Sequence, residues 1–266
     1  MKKIILTTLA HVLLGVLVSP VFAGPPLATN DAGTTRVGSV EIELNGTYGY
    51  DKQSVSGNTT TTNKNDLEVK ISTGLSPKLS ASLAIPYTVQ LRSNTDNNVS
   101  SVDGFGDMNC SLKYAVTELS GIKFTVKPWF TMPTGVYSKG LSEGRWQTGG
   151  LLIATKEIAD GKYALHANIG YEYHTYRTDE AKAVTRNNRW SASVAGEVAI
   201  VKGLVIATDV GLATNPLKST DTMPVYGLAG IRYEINNNLD INAGVKCGLT
   251  KPETDVTALY GLVLKF

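Results

Sequence analysis

The last eleven residues of the chain, Val256 to Phe266, read V-T-A-L-Y-G-L-V-L-K-F. Because side chains alternate along a strand, the residues on one face are Ala258, Tyr260, Leu262, Leu264 and Phe266, and those mainly on the other are Thr257, Gly261 and Lys265. A terminal strand that ends on an aromatic residue is typical of the signal that bacterial outer-membrane barrels present to their assembly machinery. We predict that Tyr260, Leu262, Leu264 and Phe266 form this signal, on a strand that closes onto the first.

The beginning of the chain indicates export. A short basic region, Met1 to Lys3, precedes a mostly apolar stretch from Ile4 to Val18 and a small-residue cleavage site at Val21-Phe22-Ala23. This order is that of a secretory signal peptide. The apolar stretch is too short and too interrupted to favour the alternative, a membrane anchor. The sequence therefore predicts a cleaved signal peptide (1–23), a periplasmic N-terminal segment (24–36) and an outer-membrane barrel (37–266).

Charge and cysteine content narrow the class. The chain has 25 basic and 23 acidic residues, and the signal carries two of the lysines, so 23 of each remain after cleavage. A net charge of zero gives no support for a nucleic-acid partner. No apolar run of roughly 20 residues follows the signal, so no spanning helix is expected. Cys110 and Cys247 lie far apart on apolar faces, where two separate small apolar residues are favoured over a disulfide.

The rest of the chain resolves into twelve alternating segments of about ten residues, the length that a tilted strand needs to cross a bilayer. Tight turns alternate with longer polar connections at 51–65, 92–104, 133–145, 177–189 and 214–224. Aromatic residues gather at the strand ends, as in the girdles of barrels. These features favour an all-β, twelve-stranded transmembrane antiparallel barrel with both termini periplasmic over a β-sandwich. One segment, 146–157, allows two phases, with either Trp146 or the pair Leu151 and Ile153 facing lipid.

The polar face of these segments carries charges that a water-filled lumen permits. The predicted lumen-lining acids are Glu41, Glu43, Glu68, Asp107, Glu172, Glu197, Asp209, Glu234 and Asp240, the bases are Lys70, Lys113, Lys123, Lys127, Arg232 and Lys246, and the histidines are His166 and His174. Lys265 adds a further base. The two signs nearly balance, whereas a strongly ion-selective pore shows a one-sided ring. Two interpretations stay open: pairing across strands that holds the barrel, or a subset that lines a narrow conduit.

The sequence predicts no catalytic residue, metal site or cofactor. His166 and His174 are eight residues apart on one strand face, which separates them by about 26 Å, too far to share a metal. Ser191 and Ser193 on the next strand could approach His174, as a hydrolase would require. Serines that line a wet lumen are the simpler interpretation.

Several short motifs carry a family resemblance. The segment Pro26 to Thr34 reads P-L-A-T-N-D-A-G-T, and Gly104-Phe105-Gly106-Asp107, Pro133-Thr134-Gly135 and Gly170 to Tyr173 follow in order. Together they resemble the outer-membrane proteins grouped under the meta-pathway of phenol degradation, over nearly the whole mature chain. The resemblance implies a single outer-membrane barrel and the uptake of small aromatic or other hydrophobic compounds.

The expected function is a passive channel for small solutes, with neutral or hydrophobic ones favoured over large ions. The expected partners are outer-membrane lipid, the barrel-assembly machinery and the solute. The alternatives are a structural or adhesive barrel whose loops bind a partner outside the cell and, third, a barrel enzyme that modifies lipids.

The terminal residue gives a first prediction. Phe266→Ala should sharply reduce the yield of assembled barrel without altering secretion, because the assembly signal loses its aromatic end. The yield is read from heat-modifiable mobility in gels, with Phe130→Ala as an aromatic control away from the terminus. A normal yield for Phe266→Ala would contradict the assignment.

Overall fold

The structure, a computed structural model, describes residues 26–55, 58–95 and 98–266; the predicted signal peptide lies outside these ranges. The strands are β1 (Val40–Val55), β2 (Asn58–Ser76), β3 (Leu79–Thr95), β4 (Asn98–Phe105), β5 (Met108–Leu119), β6 (Ile122–Met132), β7 (Gln147–Ile158), β8 (Tyr163–His174), β9 (Asn188–Val201), β10 (Leu204–Ala213), β11 (Val225–Asn236), β12 (Leu239–Gly248) and β13 (Val256–Lys265). A 3₁₀ turn (Tyr137–Lys139) and helix α1 (Asp179–Val184) lie in connections. In the described ranges no helix has the length and apolar character to cross a membrane.

The strands form one closed antiparallel sheet. The terminal strand β13 pairs with β12 on one side and with β1 on the other, in a register that sets Glu41 opposite Lys265 and Tyr48 opposite Ala258. The ladder reaches the last residue, because Phe266 exchanges backbone hydrogen bonds with Val40 at 2.9 and 3.1 Å. The predicted closing strand is thus confirmed. We call the end that holds the short connections, such as the one between β7 and β8, the turn end, and the opposite end the loop end.

In the described ranges thirteen strands fill twelve positions of the barrel, because β4 and β5 share one. β5 pairs with the first part of β3, up to Ala84, and β4 pairs with the last part, from Tyr87. The break falls at Pro86, whose backbone has no N–H to donate to a ladder. Its carbonyl still accepts the N–H of Gly106 at 3.0 Å. The predicted twelve-stranded barrel is confirmed, with one position split.

The outer face of the barrel is apolar, as a lipid-facing band requires. The predicted aromatic residues lie on this face near both ends, including Tyr48, Tyr173 and Trp190 at the loop end and Tyr114, Tyr163, Tyr233 and Phe266 at the turn end. Tyr171 and Trp190 face each other across β8 and β9 with ring centroids 4.6 Å apart. Cys110 and Cys247 are free thiols, in agreement with the preferred interpretation.

The ambiguous segment adopts the phase in which Trp146 faces outward. Trp146 and Leu152 are 56% and 61% exposed, whereas Leu151 and Ile153 are 8% and 2% exposed and face the lumen. An apolar pair on the inner face of a barrel needs a partner inside, and the structure supplies one, described below.

Two predicted loops are wrong. Residues assigned to the connections 51–65 and 92–104 continue as strand up to Val55 and Thr95 and resume at Asn58 and Asn98. These extensions are polar on both faces, so they lack the alternation that marks a strand in sequence. Cross-strand polar pairs hold them together, such as the hydroxyls of Thr60 and Thr95 at 2.9 Å.

The facing of β3 gives a prediction for stability. Leu83→Arg should destabilise the barrel by about 2–4 kcal/mol if the site lies near the bilayer midplane, because it places a charge against lipid. Ser82→Arg, one residue earlier on the lumen face, is the matched control and should cost much less. Reversible denaturant unfolding in lipid measures both.

Equal losses for the two variants would contradict the facing of the strand. Ser193, a lumen-facing position by the same alternation, is less suited as a control, because its hydroxyl lies 2.7 Å from that of Thr29 and arginine would remove this contact between distant parts of the chain.

Candidate functional site: the barrel lumen

The first described residues, 26–33, contact the inner wall of the barrel. We call them the inner segment. The chain enters the barrel from the turn end, where Val37 bridges Gly74 of β2. From there residues 33 to 26 cross the lumen against inward side chains of strands β5 to β13. The sequence predicted residues 24–36 to be a periplasmic N-terminal segment and did not predict these contacts inside the barrel. That the segment enters from the periplasmic side of the membrane stays a prediction.

Asp209 on β10 holds the inner segment most firmly. Its carboxylate accepts the N–H groups of Ala28 and Thr29 at 2.8 and 2.7 Å and the hydroxyl of Thr29 at 2.8 Å. The hydroxyl of Tyr226 donates to the same group at 3.1 Å. Asp209 is almost fully buried, and a buried carboxylate is stable only when donors of this kind surround it. The residue predicted to line the lumen is therefore an anchor.

Side chains of the wall satisfy the remaining backbone of the inner segment. The amide of Asn168 on β8 bonds Asn30 twice, accepting its N–H at 2.7 Å and donating to its carbonyl at 2.8 Å. Thr155 accepts the N–H of Ala32 at 2.8 Å, and Thr125 donates to the carbonyl of the same residue at 2.7 Å. A chain that crosses a lumen without secondary structure needs such partners for its buried polar groups.

Two apolar contacts with the wall complete the packing of the inner segment. Leu27 packs in a cluster formed by Ala195, Ala207, Leu228 and Leu259. Ala32 packs on Leu151 and Ile153, which explains the inward phase of β7.

Pro26 lies against the inward glycines Gly230 and Gly244. A Cβ at Gly230 would lie 2.6 Å from the Pro26 ring, so only glycine leaves room there.

A cavity of about 340 Å³ occupies the loop-end part of the lumen, and we call it the loop-end chamber. Ala28 and Asn30 of the inner segment line it together with inward residues from strands around the barrel, among them Glu68, Lys70, Lys127, Trp129, Glu172, His174 and Lys246. Predicted lumen residues nearer the turn end, such as Glu41, Lys123 and Glu197, do not line it. The inner segment therefore forms the floor of this chamber.

The connection between β6 and β7 folds into the loop end of the lumen. Asp107, in the break between β4 and β5, accepts the N–H of Gly135 at 2.8 Å and that of Glu143 at 3.3 Å. Glu143 borders the chamber. Burial raises the pKa of the Glu143 carboxyl to about 7; the positive charge of Arg189 opposes this shift and the negative charge of Asp107 adds to it.

The structure divides the predicted lumen residues into three groups. Those that line the chamber are Glu68, Lys70, Asp107, Lys127, Glu172, His174 and Lys246. Those elsewhere on the inner face are Glu41, Glu43, Lys113, His166, Glu197, Asp209, Arg232 and Asp240. Lys123 and Glu234 lie at the turn end, where Lys123 meets Glu157 at 2.8 Å and Glu234 is exposed. A role in solute passage stays a prediction for every one of them.

Many of these charges are paired, in agreement with the first interpretation above. Lys70 and Glu43 stand opposite each other on β2 and β1, with Nζ and Oε1 2.8 Å apart. Lys246 meets Glu253 at 2.8 Å, and Lys265 meets Asp240 at 2.7 Å. These pairs keep buried charges compensated in the wall.

The histidines have separate partners. His166 Nδ1 lies 3.0 Å from the Thr155 hydroxyl, and His174 Nε2 lies 2.9 Å from a Glu172 oxygen. In the described part of the chain no cluster of three or more His, Cys, Asp or Glu residues is arranged to hold a metal.

Sequence reasoning missed the residues that shape the chamber floor and rim. These are Thr29, Asn30, Trp129, Glu143 and Arg189. A usable signal existed, because Leu228, Leu259 and Val263 occupy lumen-facing positions of β11 and β13 where the alternation predicts polar residues. Inward apolar residues on a barrel indicate that something packs inside it.

The Asp209 anchor can be tested by the accessibility of the inner segment. In a background without Cys110 and Cys247, Leu27→Cys should react slowly with a water-soluble thiol reagent, because residue 27 is buried against the wall. Adding Asp209→Ala should speed labelling at least tenfold, because the carboxylate that binds two backbone N–H groups is gone; hydrogen bonds to charged groups contribute about 1.5–3 kcal/mol each. Asp240→Ala, an inward acid bonded to Lys265, is the control. Unchanged labelling in the Asp209 variant would contradict the anchor.

Comparisons with known proteins agree with this architecture. The chain resembles an outer-membrane channel from Pseudomonas putida F1 (TM-score 0.70, 14% identity, covering 92% of this chain and 100% of that one). It also resembles the translocator domain of the autotransporter NalP from Neisseria meningitidis (0.56, 9%, covering 98% and 95%) and the NanC porin (0.53, 11%, covering 85% and 98%). At these identities the likeness shows the fold, that of outer-membrane barrels. No curated protein sequence matches the chain.

A family model matches residues 46–266, most of the chain and all strands but the start of β1. The chain belongs to the family described as "Putative MetA-pathway of phenol degradation".

Proposed function

We propose that this protein is a passive outer-membrane channel for small solutes, including aromatic and hydrophobic ones. The observation that carries the proposal is the loop-end chamber, a cavity inside a closed barrel whose outer face is apolar and whose inner face mixes charged, polar and apolar groups. A structural or adhesive barrel has no need of such a chamber. Solute-binding cavities commonly have about this volume, roughly 300–1,000 Å³.

Three further findings support the proposal. The family is described by a pathway that degrades an aromatic compound. Of the similar structures, one is an outer-membrane channel and another is a porin. The charges of the wall are mostly paired, as expected for a path that discriminates weakly between large ions.

The inner segment lies across the proposed path. It contacts strands β5 to β13 below the chamber, so solutes pass beside it or after it moves. The wild-type protein should therefore conduct ions poorly despite its twelve strands.

Planar-bilayer recordings test this function. The mature protein should give small single-channel currents, and deletion of residues 26–33 should enlarge them several-fold, because the floor of the chamber is removed. Replacing Asp179 and Glu180 of the exposed helix α1 by alanine is the control and should leave the currents unchanged. Cell fractionation should find the protein in the outer membrane.

Absence of any current in both the mature protein and the deletion variant would overturn the channel function. Large, strongly ion-selective currents from the mature protein would instead indicate a general porin.

A further inference from the structure

Lys127 differs from the other lysines of the chamber. It is 8% exposed and lines the chamber from β6, directly above the inner segment. Its ammonium donates to the side-chain oxygen of Asn30 at 2.9 Å. Within the described ranges no carboxylate lies within 4 Å of it, whereas the chamber lysines Lys64, Lys70 and Lys246 each have one within 2.9 Å.

The nearby acids are occupied. Glu43 binds Lys70, Asp31 of the inner segment lies 3.3 Å from Lys113, and Glu172 binds His174 at 2.9 Å. Glu68 also faces the chamber without an ion pair in the described part of the chain, but it is more exposed than Lys127. A buried ammonium with a single neutral acceptor is costly unless a negative group joins it.

Apolar side chains lie beside Lys127 in the wall of the chamber. Leu151 stands directly opposite it on β7. Trp129 follows on the same face of β6, and Gly149 opposite leaves space for its indole ring. Leu141, from the connection that folds inward, lines the same cavity. One positive charge beside aromatic and aliphatic surface is the arrangement that recognises a compact ligand with one acidic group.

We propose that Lys127 and this apolar wall form a binding site at the chamber floor for a small organic anion with an apolar body, of which an aromatic carboxylate is the simplest form. The site deepens the proposed channel function by naming its preferred solute class. The overall charge balance predicts neutral solutes, but the local charge around Lys127 favours a single negative group. Because the Lys127 ammonium also donates to Asn30, a bound anion competes with the side chain of Asn30 for that ammonium.

Calorimetry on the mature barrel in detergent tests the site independently of conduction. The probes are benzoate, benzyl alcohol and benzylammonium, which share a ring and differ in charge. Benzoate should bind about tenfold or more tightly than either of the others, the effect of a hydrogen bond to a charged group. Lys127→Gln should remove that advantage, and Lys127→Arg should keep most of it.

Lys123→Gln is the matched control. Lys123 lies four residues before Lys127 on the same face of β6, pairs with Glu157 and does not line the chamber. Its benzoate affinity should equal that of the unchanged protein. Equal affinity for the three probes, a preference for benzylammonium, or benzoate binding retained in Lys127→Gln would each overturn the proposal. If Lys127→Gln fails to assemble, the charge series on the unchanged protein decides.

The two proposals fail in different ways. A barrel that binds benzoate in detergent but passes no current or solute retains the anion site and loses the channel function. A barrel that conducts but shows no charge preference retains the channel function and loses the site.

Discussion

The structure depends on the closure of one β-sheet by its own ends. In lipid, an unpaired strand edge leaves backbone N–H and C=O groups without partners, so a spanning sheet has to meet itself. Here β13 closes the sheet, because it pairs with β12 on one side and with β1 on the other, up to the final residue. Once the sheet is closed, each strand has one face toward lipid and one toward the lumen, and the alternation of the whole sequence follows.

Closure creates a second problem, because it encloses a space that must be filled or hydrated. The inner segment fills part of it with a chain that has no secondary structure. Its backbone is satisfied by Asp209, Asn168, Thr125 and Thr155, side chains that the wall can offer only because its inner face is polar. The same polar inner face lines the loop-end chamber, which the segment leaves unfilled. A filled part and an unfilled part of the lumen thus arise from one alternating pattern.

The wall could be predicted from the sequence far better than its contents. Period-two alternation fixes the facing of residues such as Val194 and Ser82, and that facing is observed. The extensions of β1 to β4 escaped prediction because they are polar on both faces. The change of partner along β3 at Pro86 depends on one missing backbone N–H. The alternation of apolar and polar side chains carries no information about it.

The site was predicted least well. Residues 26–33 have no periodicity, and their position depends on contacts with strands more than 80 residues away in sequence, such as the one between Thr29 and Asp209. Single residues on the inner face were identified correctly as inward, but the sequence could not distinguish Asp209, which anchors a segment, from Lys127, which faces a cavity. That distinction comes from which neighbours the fold brings within bonding distance.

The inner segment also separates two properties that most barrels couple. In an unobstructed barrel the width of the path follows from the number and tilt of the strands, so a change of width requires a change of architecture. Here the eight residues 26–33 narrow the path. They are bound to the wall chiefly through hydrogen bonds and through two small apolar clusters. Substitutions within the inner segment can alter the width and the chemistry of the path while every strand stays in register. Selectivity in this architecture can therefore diversify by changes to a few residues of one segment, with the membrane-spanning wall left unchanged.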